Sequence, residues 1–253
     1  MTAAPAAETS RPVPAARSTG ADVLKSLGLW IVLAGIAGSA AWFGLNAAVP
    51  AWRSTNAPVL LVVAVVYAAF PASLAIVFGG WKAMAARLRL RWTSWHDIYW
   101  GIALWAGATL AATAVYLVWG AATGDVWGPG LAVIRDATDM ARFPAAGAFD
   151  WAMILVRVFF LAGLTEELLF RGLLFGWLRR HVSVTATILL TTGLFTIEHI
   201  YPVIFPLALM YGVALGWLRA RTGSVLPGLV THILTDGTMF LIAAVLVLHH
   251  VAG

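Results

Sequence analysis

With 253 residues, 61% of them hydrophobic and only 11% charged, and a mean hydropathy of +0.88, the chain lies far from the soluble norm of about a quarter charged and reads as an integral membrane protein. The absence of cysteine removes disulfides, thiolate nucleophiles and cysteine metal sites, so any catalysis must use Glu, Asp, His or a hydroxyl. The net charge of +5 is scattered between apolar segments instead of clustering on one soluble face, which argues against a nucleic-acid partner and makes the bases topology signals.

Residues 1–22 read as a flexible cytoplasmic tail, rich in Ala, Pro, Ser and Thr and carrying Arg11 and Arg17. The apolar stretch 27–49 is far longer than a signal-peptide core of about 7–15 residues and reads as a retained helix. Further spans are expected at 58–80, 98–120, 151–177, 182–200, 203–218 and 225–248, each near the roughly 17–25 residues a crossing helix needs, the sixth being the shortest. Ser94-Trp95-His96-Asp97 looks like the start of the third, with Ser or Asp as its cap. Between the third and fourth, residues 121–150 hold Asp125, Arg135, Asp136, Asp139, Arg142 and Asp150 among Pro and Gly, the pattern of an outer surface loop with a short interfacial helix.

Seven spans place eleven bases on one side: Arg11, Arg17, Lys25, Lys82, Arg87, Arg89, Arg91, Arg179, Arg180, Arg219 and Arg221. Only Arg53, Arg135 and Arg142 fall on the other. The excess of positive charge puts the N-terminus in the cytoplasm and the protein, multi-pass, in the cell (inner) membrane. The expected fold is all-α, a polytopic transmembrane helix bundle of about seven spans (six to eight), with the N-terminal helices and long outer loop over 23–150 and a helical core over 151–253.

Within that core, Glu166 and Glu167 stand side by side in an apolar run and are followed by Arg171. A charge at the centre of a membrane helix costs about 3 kcal/mol on insertion scales, so this cluster needs a reason. Of eleven acidic residues, four lie inside expected spans, namely Glu166, Glu167, Glu198 and Asp236. Glu167 with Arg171 and His232 with Asp236 are each spaced i, i+4 and share a helical face, as do Phe195 and His199. Three helices thus carry polar stripes, and shielding all three from lipid requires that they meet, placing an active site between the helices of the C-terminal half. Counting rise per residue from the basic loops sets Glu166, His199 and His232 at depths of roughly 18, 24 and 12 Å, a loose agreement that ordinary tilt accommodates.

Glu167 and Arg171 read equally well as a packing ion pair or as part of a site. Glu166 lies about 100° around the helix from that pair, and a buried carboxylate of this kind suits general-base work. His199 and His232, each beside an acid, point to function more than a lone membrane histidine does. Asp236 orients His232 on this reading, and Glu198 is either a third carboxylate of the site or directed to another partner. No His-Glu-x-x-His, Gly-x-Ser-x-Gly or Gly-rich phosphate loop occurs. What remains is the composition of a water-activating hydrolase or of a proton or cation pathway.

Glu166-Glu167-Leu168-Leu169-Phe170-Arg171-Gly172 resembles the Glu-Glu-x-x-x-Arg signature of the CAAX protease and bacteriocin-processing (Abi) family, Phe195-Thr196-Ile197-Glu198-His199 resembles its Phe-x-x-x-His motif, and His232-Ile233-Leu234-Thr235-Asp236 its His-x-x-x-Asn/Asp motif. The resemblance covers about residues 151–248. It implies an intramembrane endopeptidase that hydrolyses a peptide bond of a membrane-associated protein or peptide. On the same resemblance Glu166 is the general base, His199 binds and polarises the water, Glu167 and Arg171 hold the geometry, and His232 with Asp236 stabilises the oxyanion. Asp236 departs from the Asn form of the third motif, and could donate to an oxyanion only when protonated. The expected chemistry needs no cofactor, although Glu166, His199 and His232 would make a His₂Glu zinc set, against which the charge of Arg171 weighs. A bacteriocin-immunity or membrane-scaffold protein and an ion or proton carrier are the alternatives, the last without a visible inverted repeat.

Overall fold

A computed structural model describes residues 18–49, 57–133, 156 and 161–252. Among these residues every regular element is helical. Helix α1 spans Gly20–Ala48 and takes in the last three residues of the stretch expected as tail, because Thr19 and Asp22 cap each other: the Thr19 amide donates to Asp22 Oδ2 at 2.7 Å and the Asp22 amide to Thr19 Oγ1 at 3.1 Å. The rest of that tail, 1–17, lies outside the described residues.

Helix α2, Ala57–Phe78, contains Pro71, which has no N–H to give to the carbonyl one turn back, that of Tyr67. The hydroxyl of Thr165 donates to that carbonyl at 3.0 Å. Gly79 and Gly80, at φ of 82° and 121°, then reverse the chain into the short helix α3, Trp81–Leu88. Helix α4, Trp95–Thr123, begins where expected, with the Ser94 side chain accepting from the Asp97 amide at 3.2 Å. Of the long connection that follows, residues 128–133 are helical and 134–150 lie outside the described residues.

The next helix, α5, is continuous through Gly163–Glu166, a π-helical stretch Glu167–Leu174, and Phe175–Leu178. Helix α6 is Val184–Glu198, capped by Ser183. A 3₁₀ turn, Pro202–Ile204, leads into α7, Phe205–Thr222, with Pro206 in its first turn where a missing N–H costs nothing. Helix α8 is Leu226–Ala252.

Among the described residues, four stretches are long and apolar enough to cross a membrane: Gly20–Gly44, Val59–Phe78, Trp95–Thr123 and Pro202–Thr222. They correspond to the first, second, third and sixth of the seven expected spans. The sixth, expected to be the shortest, continues past residue 218 to Gly223, whose left-handed φ of 64° ends it. The short one is the fifth, at 15 residues, because the chain turns directly after it: Ile200 has a φ of 60°. The fourth expected span lies partly outside the described residues.

Phe70, Leu74, Leu88, Leu168 and Leu173 are all fully buried and join α2, α3 and α5 in one core, while α1 lies along α2 with Trp30 edge-on to Phe70. Helix α7 packs on α4 and α6, and α8 on α4, α5 and α7. Gly212 and Gly216, four apart, let α7 approach α6 so closely that a Cβ at either would press on Thr192 or Ile188. At one end of the bundle the basic connections meet. The Ser224 hydroxyl donates to the carbonyls of Arg89 and Arg91, Arg180 donates to the Ser18 carbonyl, and Arg87 lies 3.6 Å from Asp22.

Candidate active site

The glutamate pair sits where α5 changes its winding. In the π-helical stretch each amide reaches one residue further back, as the Phe175 amide does to the Phe170 carbonyl, and such widened turns recur at functional sites. Arg219, reaching across from α7, donates its Nε to the Arg171 carbonyl at 2.9 Å and fixes this stretch from outside.

Glu167 is fully buried, and its Oε1 accepts twice: from Arg171 Nη1 at 2.9 Å and from His232 Nδ1 at 3.0 Å. Because a carboxylate paired with arginine only accepts, the Nδ1 of His232 carries a proton and its Nε2 points the other way. There it lies 3.6 Å from Glu166 Oε2 and 3.6 Å from Asp236 Oδ2. The other oxygen of Glu167 lies beside Gly228, where a Cβ would come within 3.1 Å of it. Gly163 similarly makes room for the His232 ring, 3.6 Å from where its own Cβ would stand.

The Phe195 ring occupies the middle of the cluster. The Arg171 guanidinium stacks over it at 4.4 Å, and Phe170, His199 and His232 surround it at 5.5, 4.7 and 5.9 Å between ring centres. Arg171 also donates to the Gly212 carbonyl at 3.4 Å, so a buried cation is met by a carboxylate, a carbonyl and an aromatic face. His199 ends α6, and its Nδ1 donates to the Phe195 carbonyl at 2.8 Å. A carbonyl can only accept, so the Nε2 of a neutral His199 is a bare acceptor. The next residue, Ile200, is β-branched and left-handed, a strained conformation of the kind held at functional turns.

The structure therefore brings Glu166, Glu167, Arg171, His232 and Asp236 into direct register and ties His199 to them through Phe195. Glu198 is exposed at the end of α6, near enough to Arg171 and His232 to feel both charges. Among the described residues no group of three His, Asp or Glu side chains is arranged to hold a metal ion. Sequence reasoning missed Arg219, counted only as a topology signal, and the Thr165 contact, which a proline four residues after a mid-helix carbonyl could have suggested.

Residues 148–238 match the family model Rce1-like, type II CAAX prenyl endopeptidase Rce1-like. The matched segment contains every residue of the cluster. No curated protein and no solved structure matches the chain.

Proposed function

We propose, from the match of residues 148–238 to the Rce1-like CAAX prenyl endopeptidase model, that this chain is an intramembrane endopeptidase that hydrolyses a peptide bond of a membrane-associated protein or peptide with water activated by glutamate and histidine. The observation that carries the reading is the fork at Glu167. One oxygen, held by Arg171 at 2.9 Å and by His232 at 3.0 Å, presets the imidazole so that its Nε2 faces Glu166 and Asp236.

A bare Nε2 facing two carboxylates at 3.6 Å would be repelled by both, so a proton belongs among Nε2, Glu166 and Asp236. That shared proton is the raw material of general acid–base catalysis. Glu166, 3.6 Å from that imidazole, takes a proton from water as the water oxygen attacks the carbonyl carbon. The His199 Nε2 accepts the water's other hydrogen and aligns it. As the tetrahedral oxyanion forms, the His232 Nε2–H, backed by Asp236, donates to it. Breaking of the C–N bond returns the proton held on Glu166 to the departing amine. Glu167 and Arg171 touch no reacting atom on this scheme and position His232. The scheme needs no metal, and cleavage should survive a chelator. The N-terminus is cytoplasmic and the membrane is the cell (inner) membrane on the same reading, as the gathering of basic connections at one end supports.

The test is a membrane proteome from cells carrying wild-type protein or Glu166→Gln, followed by cleavage of the accumulating precursor by purified protein. A precursor that accumulates with Glu166→Gln and His199→Ala, both folded, and is cut by the wild type supports the endopeptidase. Equal function of both variants with no cleavage product returns the chain to an immunity or scaffold role.

A further inference from the structure

Helix α4 lies wholly outside residues 148–238 and carries no charge after Asp97, yet its buried face touches the chain beside both histidines of the site. Gly101, Ala108, Ala112, Tyr116 and Gly120 make up that face, recurring at helical spacing. In a bilayer the hydrophobic effect does little to press one helix on another, so small residues and interhelical hydrogen bonds decide where helices stand. Helix α4 supplies one of each.

The hydrogen bond comes from Tyr116, 7% exposed, whose hydroxyl donates to the Val203 carbonyl at 2.7 Å. Val203 lies in the 3₁₀ turn Pro202–Ile204, just past His199. Between them Ile200 is left-handed at φ 60°, and the Tyr201 amide folds back onto the His199 carbonyl. A β-branched residue keeps that conformation only where its surroundings hold it. Val203, Ile204 and Leu207 pack against the cluster of Ala112, Tyr116 and Val133, so the far side of the turn that carries His199 is anchored on a second helix.

The close approach is made at Gly101. Thr231 is buried, directly precedes His232, and donates its Oγ1 to the Pro227 carbonyl at 2.9 Å. A Cβ at Gly101 would overlap that Oγ1 and stand 3.2 Å from Thr231 Cβ and 3.3 Å from Leu218 Cδ2. Threonine is stiff at χ1, and turning it aside would break its bond to Pro227. Glycine at 101 therefore sets how near α8 comes to α4, and the seat of α8 sets where His232 Nδ1 meets Glu167, at 3.0 Å.

We propose that α4 positions both histidines of the site: Tyr116 acts on His199 through the turn at Val203, and Gly101 acts on His232 through Thr231. Neither residue touches a reacting atom. That the two histidines then serve in cleavage rests on the function proposed above.

The test is nuclear magnetic resonance of the imidazole nitrogens in full-length protein with isotope-labelled histidine, the signals being identified by their loss in His199→Ala and His232→Ala. Tyr116→Phe, which keeps the ring, should move the His199 signals and leave those of His232. Gly101→Ala should do the reverse, and adding Thr231→Ala should bring the His232 signals back towards the wild type. Thr113→Val, on the exposed face of α4, should move neither. Signals that stay in place in both folded variants, or that move as much in Thr113→Val, overturn the proposal. Should Gly101→Ala not fold, the double variant is compared with Thr231→Ala alone: a further displacement of His232 supports the proposal, and coincident signals overturn it. With a cleavable precursor, Tyr116→Phe should lower kcat about tenfold with KM within about twofold, as misplacement of a catalytic group does. If the wild type cuts nothing, the endopeptidase reading falls, and the histidine signals still decide the positioning.

Discussion

Between α5 and α8 the buried charges are matched one against another: Arg171 meets Glu167 at 2.9 Å, and Glu167 meets His232 at 3.0 Å. At the end of the bundle Arg87, Arg89, Arg179 and Arg219 line one pocket, with no acid among the described lining residues. The first cluster closes its ion pairs within the fold, although Glu167 Oε2 and Arg171 Nε have no hydrogen-bond partner among the described residues, and removing Arg171, Glu167 or His232 strands another charge in a low dielectric. The second is tied to the fold more through backbone than through acids: Arg87 lies 3.6 Å from Asp22, Arg179 donates to the Val182 carbonyl and Arg219 to the Arg171 carbonyl. The same residue type, arginine, is therefore half of a buried ion pair in one place and a donor to backbone carbonyls at the end of the bundle in the other.

Four substitutions grade that difference. The largest effect is expected from Arg171→Leu, which leaves Glu167 buried without its cation and should destabilise the protein by about 3–5 kcal/mol, read from unfolding in detergent. If unfolding shifts by less than about 1 kcal/mol, the inner cluster is not self-completing and the contrast fails. Glu166→Gln should leave unfolding nearly unchanged, since that side chain retains 12% exposure, while lowering cleavage about 10²–10⁴-fold. Retained cleavage would remove Glu166 from the role of base. Gly228→Ala brings a Cβ to 3.1 Å from Glu167 Oε2 and should cost about 1–3 kcal/mol, with kcat falling more than KM rises as His232 is displaced. Arg89→Gln should change stability by less than about 1 kcal/mol, and by less still at high salt, which sets the outer cluster apart from the inner one.

Spacing made part of this legible in the sequence. The i, i+4 pairs Glu167–Arg171 and His232–Asp236 lie at 2.9 and 3.6 Å, Phe195 and His199 share a face with their rings 4.7 Å apart, and Ser94 caps α4. These are interactions within one helix, where periodicity alone decides who meets whom. What periodicity cannot reach is set by packing between helices. Glu167 and His232 are 65 residues apart, and nothing in either segment names the other as partner. The histidine beside Glu166 is His232, at 3.6 Å, whereas the resemblance alone pairs Glu166 with His199, across a water. The π-helical winding at Glu167–Leu174 was illegible for a different reason: moving a hydrogen bond by one residue requires no particular side chain. The fifth expected span, 182–200, holds a helix of 15 residues, Val184–Glu198, and the positive φ at Ile200 that follows its end leaves no mark in hydropathy.

Pro71 gives α2 a second use. In place of the missing helical bond, the Tyr67 carbonyl receives the hydroxyl of Thr165, the residue immediately before Glu166. Mechanically this is a detent. If α5 slid by one turn, about 5.4 Å, against α2, a hydroxyl and a carbonyl would both be left facing hydrocarbon. An apolar helix with no chemistry of its own thereby sets the depth at which the glutamates stand, and on the proposed function the depth to which a substrate bond must come.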